Sequence, residues 1–175
     1  MGQCQRAAFV FAALLAAGCG PGSSDTAAGA WAPDPLLDET SARGCAASEF
    51  DRHLVLLVED AEAYARLVLD IDHQVVPGQA ISGTYSIGAG MTAHIDLGPG
   101  WPELCGDGAP ATGPVGDSYI GVFGTVHVDL RPDLLDITML RGTATATELE
   151  FDGPEDADAF VIPSLDLQTV TVFAE

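Results

Sequence analysis

Strict alternation of apolar and polar residues is the feature that most restricts what this chain can fold into. Leu67, Leu69 and Ile71 alternate with Arg66, Val68, Asp70 and Asp72. Ala93, Ile95 and Leu97 alternate with Thr92, His94 and Asp96, and Val126, Val128 and Leu130 with Thr125, His127 and Asp129. Near the end, Val170 and Val172 alternate with Thr169, Thr171 and Phe173. A period of two sends successive side chains to opposite faces of an extended strand, so each stretch reads as a strand with one buried face. Turn chemistry separates the stretches at Val76-Pro77-Gly78, Gly88-Ala89-Gly90, Gly98-Pro99-Gly100, Arg131-Pro132-Asp133 and Asp152-Gly153-Pro154. The Gly88-Ala89-Gly90 break suits a hairpin joining Gly83–Ile87 to Met91–Leu97. Between Phe50 and Val68 the pattern also traces a helical face, but Leu54–Val58 and Tyr64–Ile71 read better as two strands around an acidic turn at Glu59–Glu62. No helical pattern recurs between strands, which argues against a parallel α/β fold. The expectation is an all-β domain, an antiparallel β-sandwich or barrel-like body.

The first residues follow different rules. Arg6 lies beside the amino terminus, an apolar run covers Ala7 to Ala17, and the run ends in Leu14-Leu15-Ala16-Ala17-Gly18-Cys19. That run has the length of a signal-peptide core and is too short to cross a bilayer as a helix. Small residues before a cysteine resemble the lipobox of bacterial lipoproteins, although the usual Leu three places before the cysteine is Ala16 here, with Leu15 one place further back. The resemblance covers residues 1–20 only. It implies that Cys19 receives a diacylglycerol, that residues 1–18 are removed as a signal peptide, and that the new amino terminus is acylated, palmitate being the familiar modification of this class. Two or three chains hold a protein on a membrane where one does so only marginally. Gly20, rather than Asp, follows the cysteine. By the same analogy this points to the outer membrane, facing the periplasm or the outside, in a double-membrane envelope.

Residues 19–44 are rich in Gly, Ala, Ser, Pro and Asp and read as a flexible, lipid-anchored tether. Residues 45–175 then form a single all-β domain, long enough for a real core. Of the four cysteines, Cys4 falls in the signal and Cys19 in the lipid site. Cys45 and Cys105 remain, with one possible intramolecular pairing, and outside the cytoplasm such pairs are oxidised.

Charge narrows the function classes. Twenty-six Asp and Glu face six Lys and Arg, all of them arginine, for a formal net charge of −20. Such a surface repels nucleic acid and anionic head groups, so no nucleic-acid partner is expected. The membrane, through the lipid anchor, and an unidentified protein or cell-envelope partner remain. Absence of lysine excludes a Walker A loop, a Schiff base and a Ser-Lys pair. There is no His-Glu-x-x-His and no Gly-x-Ser-x-Gly. Gly116-Asp117-Ser118 resembles the opening of the GDS-type esterase motif but lacks its later Asp-x-x-His and its strand-to-helix context.

Two constellations carry chemistry. Thr92-Ala93-His94-Ile95-Asp96-Leu97 repeats as Thr125-Val126-His127-Val128-Asp129-Leu130. On strands, the Thr, His and Asp share one face. If the two strands pair, His94, Asp96, His127 and Asp129 make a set suited to zinc or another divalent metal. Asp152, Glu155, Asp156 and Asp158 crowd hard oxygen donors onto one loop, the chemistry of a calcium site, without the EF-hand pattern. Trp101, beside Cys105, suits packing over the edge of a core. No catalytic residues stand out. The leading expectation is a membrane-anchored extracytoplasmic module that binds or scaffolds, with a zinc- or calcium-binding protein and a hydrolase of dispersed carboxylates as alternatives. No resident cofactor is required by the first of these.

Overall fold

The computed structural model describes residues 32–47, 53–101, 104–105, 116–155 and 157–174. The signal peptide, Cys19, the tether up to Trp31, and Asp156 of the acidic loop lie outside the described residues. A short 3-10 helix, Asp34–Asp38, precedes eight strands: β1 (Ser41–Ala47), β2 (His53–Asp60), β3 (Ala65–Gln74), β4 (Ile81–Ile87), β5 (Gly90–Leu97), β6 (Ser118–Pro132), β7 (Met139–Asp152) and β8 (Phe160–Phe173). They close into a barrel in the order β1-β2-β3-β5-β4-β6-β7-β8. The chain is therefore all-β, as the alternation requires, and the ambiguous stretch is two strands, β2 and β3, paired antiparallel from His53↔Gln74 to Asp60↔Ala65.

The alternating apolar residues fill the barrel. Leu67, Leu69 and Ile71, Ala93, Ile95 and Leu97, Val126, Val128 and Leu130, and Val170 and Val172 all belong to one buried cluster. Residues between them point outward. One end of the barrel, here called upper, holds the 61–64 turn and the start of β6, tied by Gly98 N–H donating to the Tyr64 carbonyl and Leu97 N–H to that of Asp117. The lower end holds the 75–80 and 133–138 loops, tied by Gly78 N–H to the Ile137 carbonyl and Ala174 N–H to that of Thr138.

Three expectations need correction. The tether does not extend to residue 44. The 3-10 helix packs on β2, β3 and β8 with Leu36 fully buried, and β1 begins at Ser41. Small residues made this stretch look like linker, but Ala42 and Gly44 are inward positions where little space exists. A Cβ on Gly44 would meet the Val55 carbonyl oxygen at 2.5 Å and the Leu56 and Val172 side chains at 2.9 and 3.0 Å.

Second, Gly88-Ala89-Gly90 does not close a hairpin. Ser86 and Ile87 bridge Gly90 and Met91 in the parallel sense, so the chain jogs sideways and continues in one direction. Gly88 (φ 77°) and Gly90 (φ 87°) supply the left-handed conformations that this jog needs. β4 and β5 consequently both run antiparallel to β6, β5 along its first residues and β4 further down.

Third, the barrel is mixed rather than wholly antiparallel. β1 and β8 close it in parallel, from Ser41↔Thr169 to Cys45↔Phe173. The jog is the reason. With β4 and β5 sharing a direction, the number of direction reversals around the ring is such that the first and last strands must point the same way.

Candidate functional site

Outward-facing residues of the upper barrel are the ones that carry chemistry. The register aligns Glu59, Arg66, Asp96 and Ser118 across β2, β3, β5 and β6. In the row beside it Leu57, Val68, His94 and Ile120 line up. Over these rows lies the start of the segment that links β5 to β6. The Cys45–Cys105 disulfide, with Cα atoms 5.4 Å apart, pins that segment to β1. Beneath it a second, smaller apolar cluster forms on the outside of the barrel: Cys45, Val55, Leu57 and Val68, with Leu104 and Cys105 against them. The cysteine pairing expected from the sequence is thus present.

Arg66 is the centre of the arrangement. Alternation sends it outward from β3, yet it is fully buried because the linking segment covers it. Its guanidinium carbon lies 5.1 Å from the centroid of the Trp101 ring, a cation–π stack. Its Nη2 donates to Asp96 Oδ2 at 2.6 Å. Ser118 Oγ donates to Asp96 Oδ1 at 3.2 Å, and His94 Nε2 lies 3.6 Å from Asp96 Oδ2. Burial by itself would raise the Asp96 pKa. The His94 imidazole and the Arg66 guanidinium beside the carboxylate outweigh it and hold the carboxyl at about 2. Asp96 is therefore an anion whose acceptors are all engaged. The Ser118 hydroxyl is directed to Asp96 rather than to an imidazole, so these side chains do not form the relay that activates a serine nucleophile.

The repeated Thr-x-His-x-Asp motifs do face outward, but the structure does not bring them together. His94 is opposite Val68 and Ile120, whereas His127 is opposite Thr84 and Thr145. Ile120 and His127 are seven residues apart on β6, about 23 Å at the usual rise. The motifs fail to meet because β5 reaches only the upper part of β6 and β4 occupies the place beside His127. There His127 Nδ1 shares a 3.0 Å hydrogen bond with Thr84 Oγ1, and Asp129 pairs with Arg131 at 3.4 Å. On the acidic loop, Asp152 closes β7 opposite Ile120, and Glu155 and Asp158 are exposed in the turn that follows. Among the described residues, no group of three or more His, Cys, Asp or Glu side chains is arranged to hold a metal ion.

A second polar cluster escaped the sequence reading. His53 at the start of β2 sits between two carboxylates of β3, its Nδ1 3.5 Å from Asp70 Oδ1 and its Nε2 3.3 Å from Asp72 Oδ1. With Met91 and Thr92 these residues line a shallow depression of about 250 Å³. Asp70 and Asp72, with His73, read from the sequence as a weaker version of an acidic site, better explained as the end of a strand. Their partner has no local mark: His53 lies 17 positions before Asp70 and is brought to it by the β2–β3 pairing, whose register shifts between His53 and Leu54. Arg66 was likewise read only as one polar residue of an alternating strand. Its nearness to Asp96 follows from the β3–β5 register, and no local signal marks it.

No protein-family model matches the chain, no curated protein matches its sequence, and no solved structure matches its fold.

Proposed function

We propose that this protein is a lipid-anchored extracytoplasmic module that works by binding or scaffolding from the outer surface of its barrel. The observation that carries the reading is the division of the molecule into a filled interior and a chemically equipped exterior. Every strand contributes apolar side chains to the inner cluster, while the charged groups and the Trp101 indole stand outside. A barrel filled in this way offers its partners a surface rather than a lumen. The disulfide fits an oxidising compartment. The residues before Cys19 fit export and lipidation, and Gly20 after it fits the outer membrane. The strongly acidic surface favours protein or cationic partners over nucleic acid.

The test is Cys19→Ser in cells that process lipoproteins. Wild type should incorporate labelled palmitate and fractionate with membranes. The variant should lose the label and move to the soluble fraction. Persistence of the variant in the membrane fraction, or absence of label from wild type, would remove the anchor from this reading.

A further inference from the structure

The segment that leaves β5 at Gly98 and returns to β6 at Asp117 is closed at its neck. Leu97 N–H donates to the Asp117 carbonyl at 2.9 Å, and Asp96↔Ser118, Ile95↔Tyr119 and His94↔Ile120 continue the pairing beside it. Both ends are thus fixed by the β5–β6 register and do not depend on anything further along the segment. At the exit Gly98 has φ 94°, a left-handed conformation that favours glycine, and its N–H is held by the Tyr64 carbonyl. The other covalent attachment is the Cys45–Cys105 disulfide to β1. A segment built this way is a strap, hinged at its neck and clasped at one point.

The clasp lies outside the core. Cys45, Val55, Leu57 and Val68, which the strap covers, share no member with the inner cluster. Lifting the strap therefore bares these side chains and Arg66 without opening the barrel. The Arg66–Asp96 pair survives the opening, because its partners stand opposite each other on β3 and β5. It also regains water. Keeping a charge pair covered costs desolvation, which the Trp101 stack on Arg66 offsets only in part. The covered state thus rests on a small apolar cluster and one covalent bond, opposed by a charge pair that is better hydrated when bare. In such a balance the covalent bond decides the outcome.

We infer that the Cys45–Cys105 disulfide is a redox latch. Oxidised, it holds the strap over the outer face of β1, β2 and β3. Reduced by a dithiol, it releases the strap and bares that face. Cys105 is partly exposed and Cys45 is buried, so Cys105 is the point of attack. A thiolate of the dithiol bonds to Cys105 Sγ, the disulfide breaks, and its electron pair leaves on Cys45 Sγ, which takes up a proton. The second thiolate of the dithiol then attacks its own partner sulfur in the mixed disulfide, and Cys105 leaves as a thiolate and is protonated. Two electrons and two protons pass from the dithiol to the cysteine pair, and the dithiol ends as a disulfide. The latch acts on the barrel alone and needs no lipid anchor.

The test uses the full chain with Trp31→Phe, so that Trp101 is the single indole, and dithiothreitol without denaturant. Peptide mass after alkylation reports whether Cys45 and Cys105 are reduced. Phenylglyoxal labelling reports whether Arg66 is accessible, with the exposed Arg131 and Arg141 as controls that react in both states. On reduction, Arg66 labelling should rise from none to a yield comparable with the controls. Trp101 emission should shift to longer wavelength, and the strand circular dichroism spectrum should persist. Reoxidation should reverse all three changes. Cys45→Ser/Cys105→Ser should match the reduced protein with no dithiothreitol present. A reduced pair with Arg66 still unlabelled and Trp101 unshifted makes the disulfide a staple and overturns the latch. So does a pair that resists dithiothreitol until denaturant is added, and so does loss of the circular dichroism spectrum on reduction.

Discussion

The inside of the barrel and the capped patch on its outside are both buried, but they are held in different ways. Inside, Leu, Val, Ile and Ala from every strand share the load in one cluster, with Phe151 among the largest fully buried side chains. Outside, four strand residues, one disulfide, one Arg–Asp pair and one indole hold a loop segment in place. Burial of apolar area is non-directional and distributes over many groups, so its contribution varies little with pH or redox state. A covalent bond and a buried ion pair are specific. Each either forms or does not, and each depends on the medium. Stability of the barrel and attachment of the cap should therefore respond to different perturbations.

The largest effect should come from the interior. Phe151→Ala should lower unfolding free energy by about 4 kcal/mol, as expected for a large cavity in a close-packed core. Chemical denaturation should show that loss equally with the disulfide oxidised or reduced. A loss that appears only in the reduced protein would mean that the two regions are not separate.

Removing the disulfide comes next. Cys45→Ala with Cys105→Ala should cost about 3 kcal/mol. Only two tryptophans exist in the chain, so Trp31→Phe leaves Trp101 as the single reporter. In that background the cysteine substitutions should shift Trp101 emission to longer wavelength before the barrel unfolds, because the cap that holds the indole on Arg66 is released. Coincidence of the fluorescence and circular dichroism transitions would instead make cap and barrel one cooperative unit.

The smallest effect is the most selective. Asp96 has a folded pKa of about 2, below its ordinary value, so its stabilising contribution is fully present above about pH 4 and disappears as pH falls toward 2. Asp96→Asn should therefore cost about 2 kcal/mol near neutral pH, and the difference from wild type should vanish in strong acid. A difference independent of pH would show that Asp96 acts through packing alone. Arg66→Met combined with Asp96→Asn should restore most of the loss, since replacing both partners of a buried pair leaves no uncompensated charge.

Much of the fold was legible because strand alternation is a local property. The residues at positions such as Leu67, Ala93, Val126 and Val170 declare their inward face in any all-β arrangement, and the cysteine pair had a single partner choice. The neighbour relations were not legible in the same way. His94 and His127 sit in near-identical motifs, yet the two-glycine jog at Gly88 and Gly90 leaves β5, which carries His94, along the first residues of β6 and puts β4 beside His127. Gly44 looked like linker because smallness is the same signal whether it serves flexibility or close approach.

The features readable along the chain are therefore periodic and compositional: strands, their inward faces, turns, the disulfide partners and the acidic surface. These depend on residues a few positions apart, where backbone geometry alone sets direction. Tertiary structure alone decided that the strands close as a mixed barrel and that Arg66 lies buried outside it beneath Trp101. It also decided that Asp96 is drawn to Arg66 and Ser118 rather than to His127. Each of these depends on register between strands distant in sequence. A shift of one residue in register would reverse every outward side chain without altering a single local pattern.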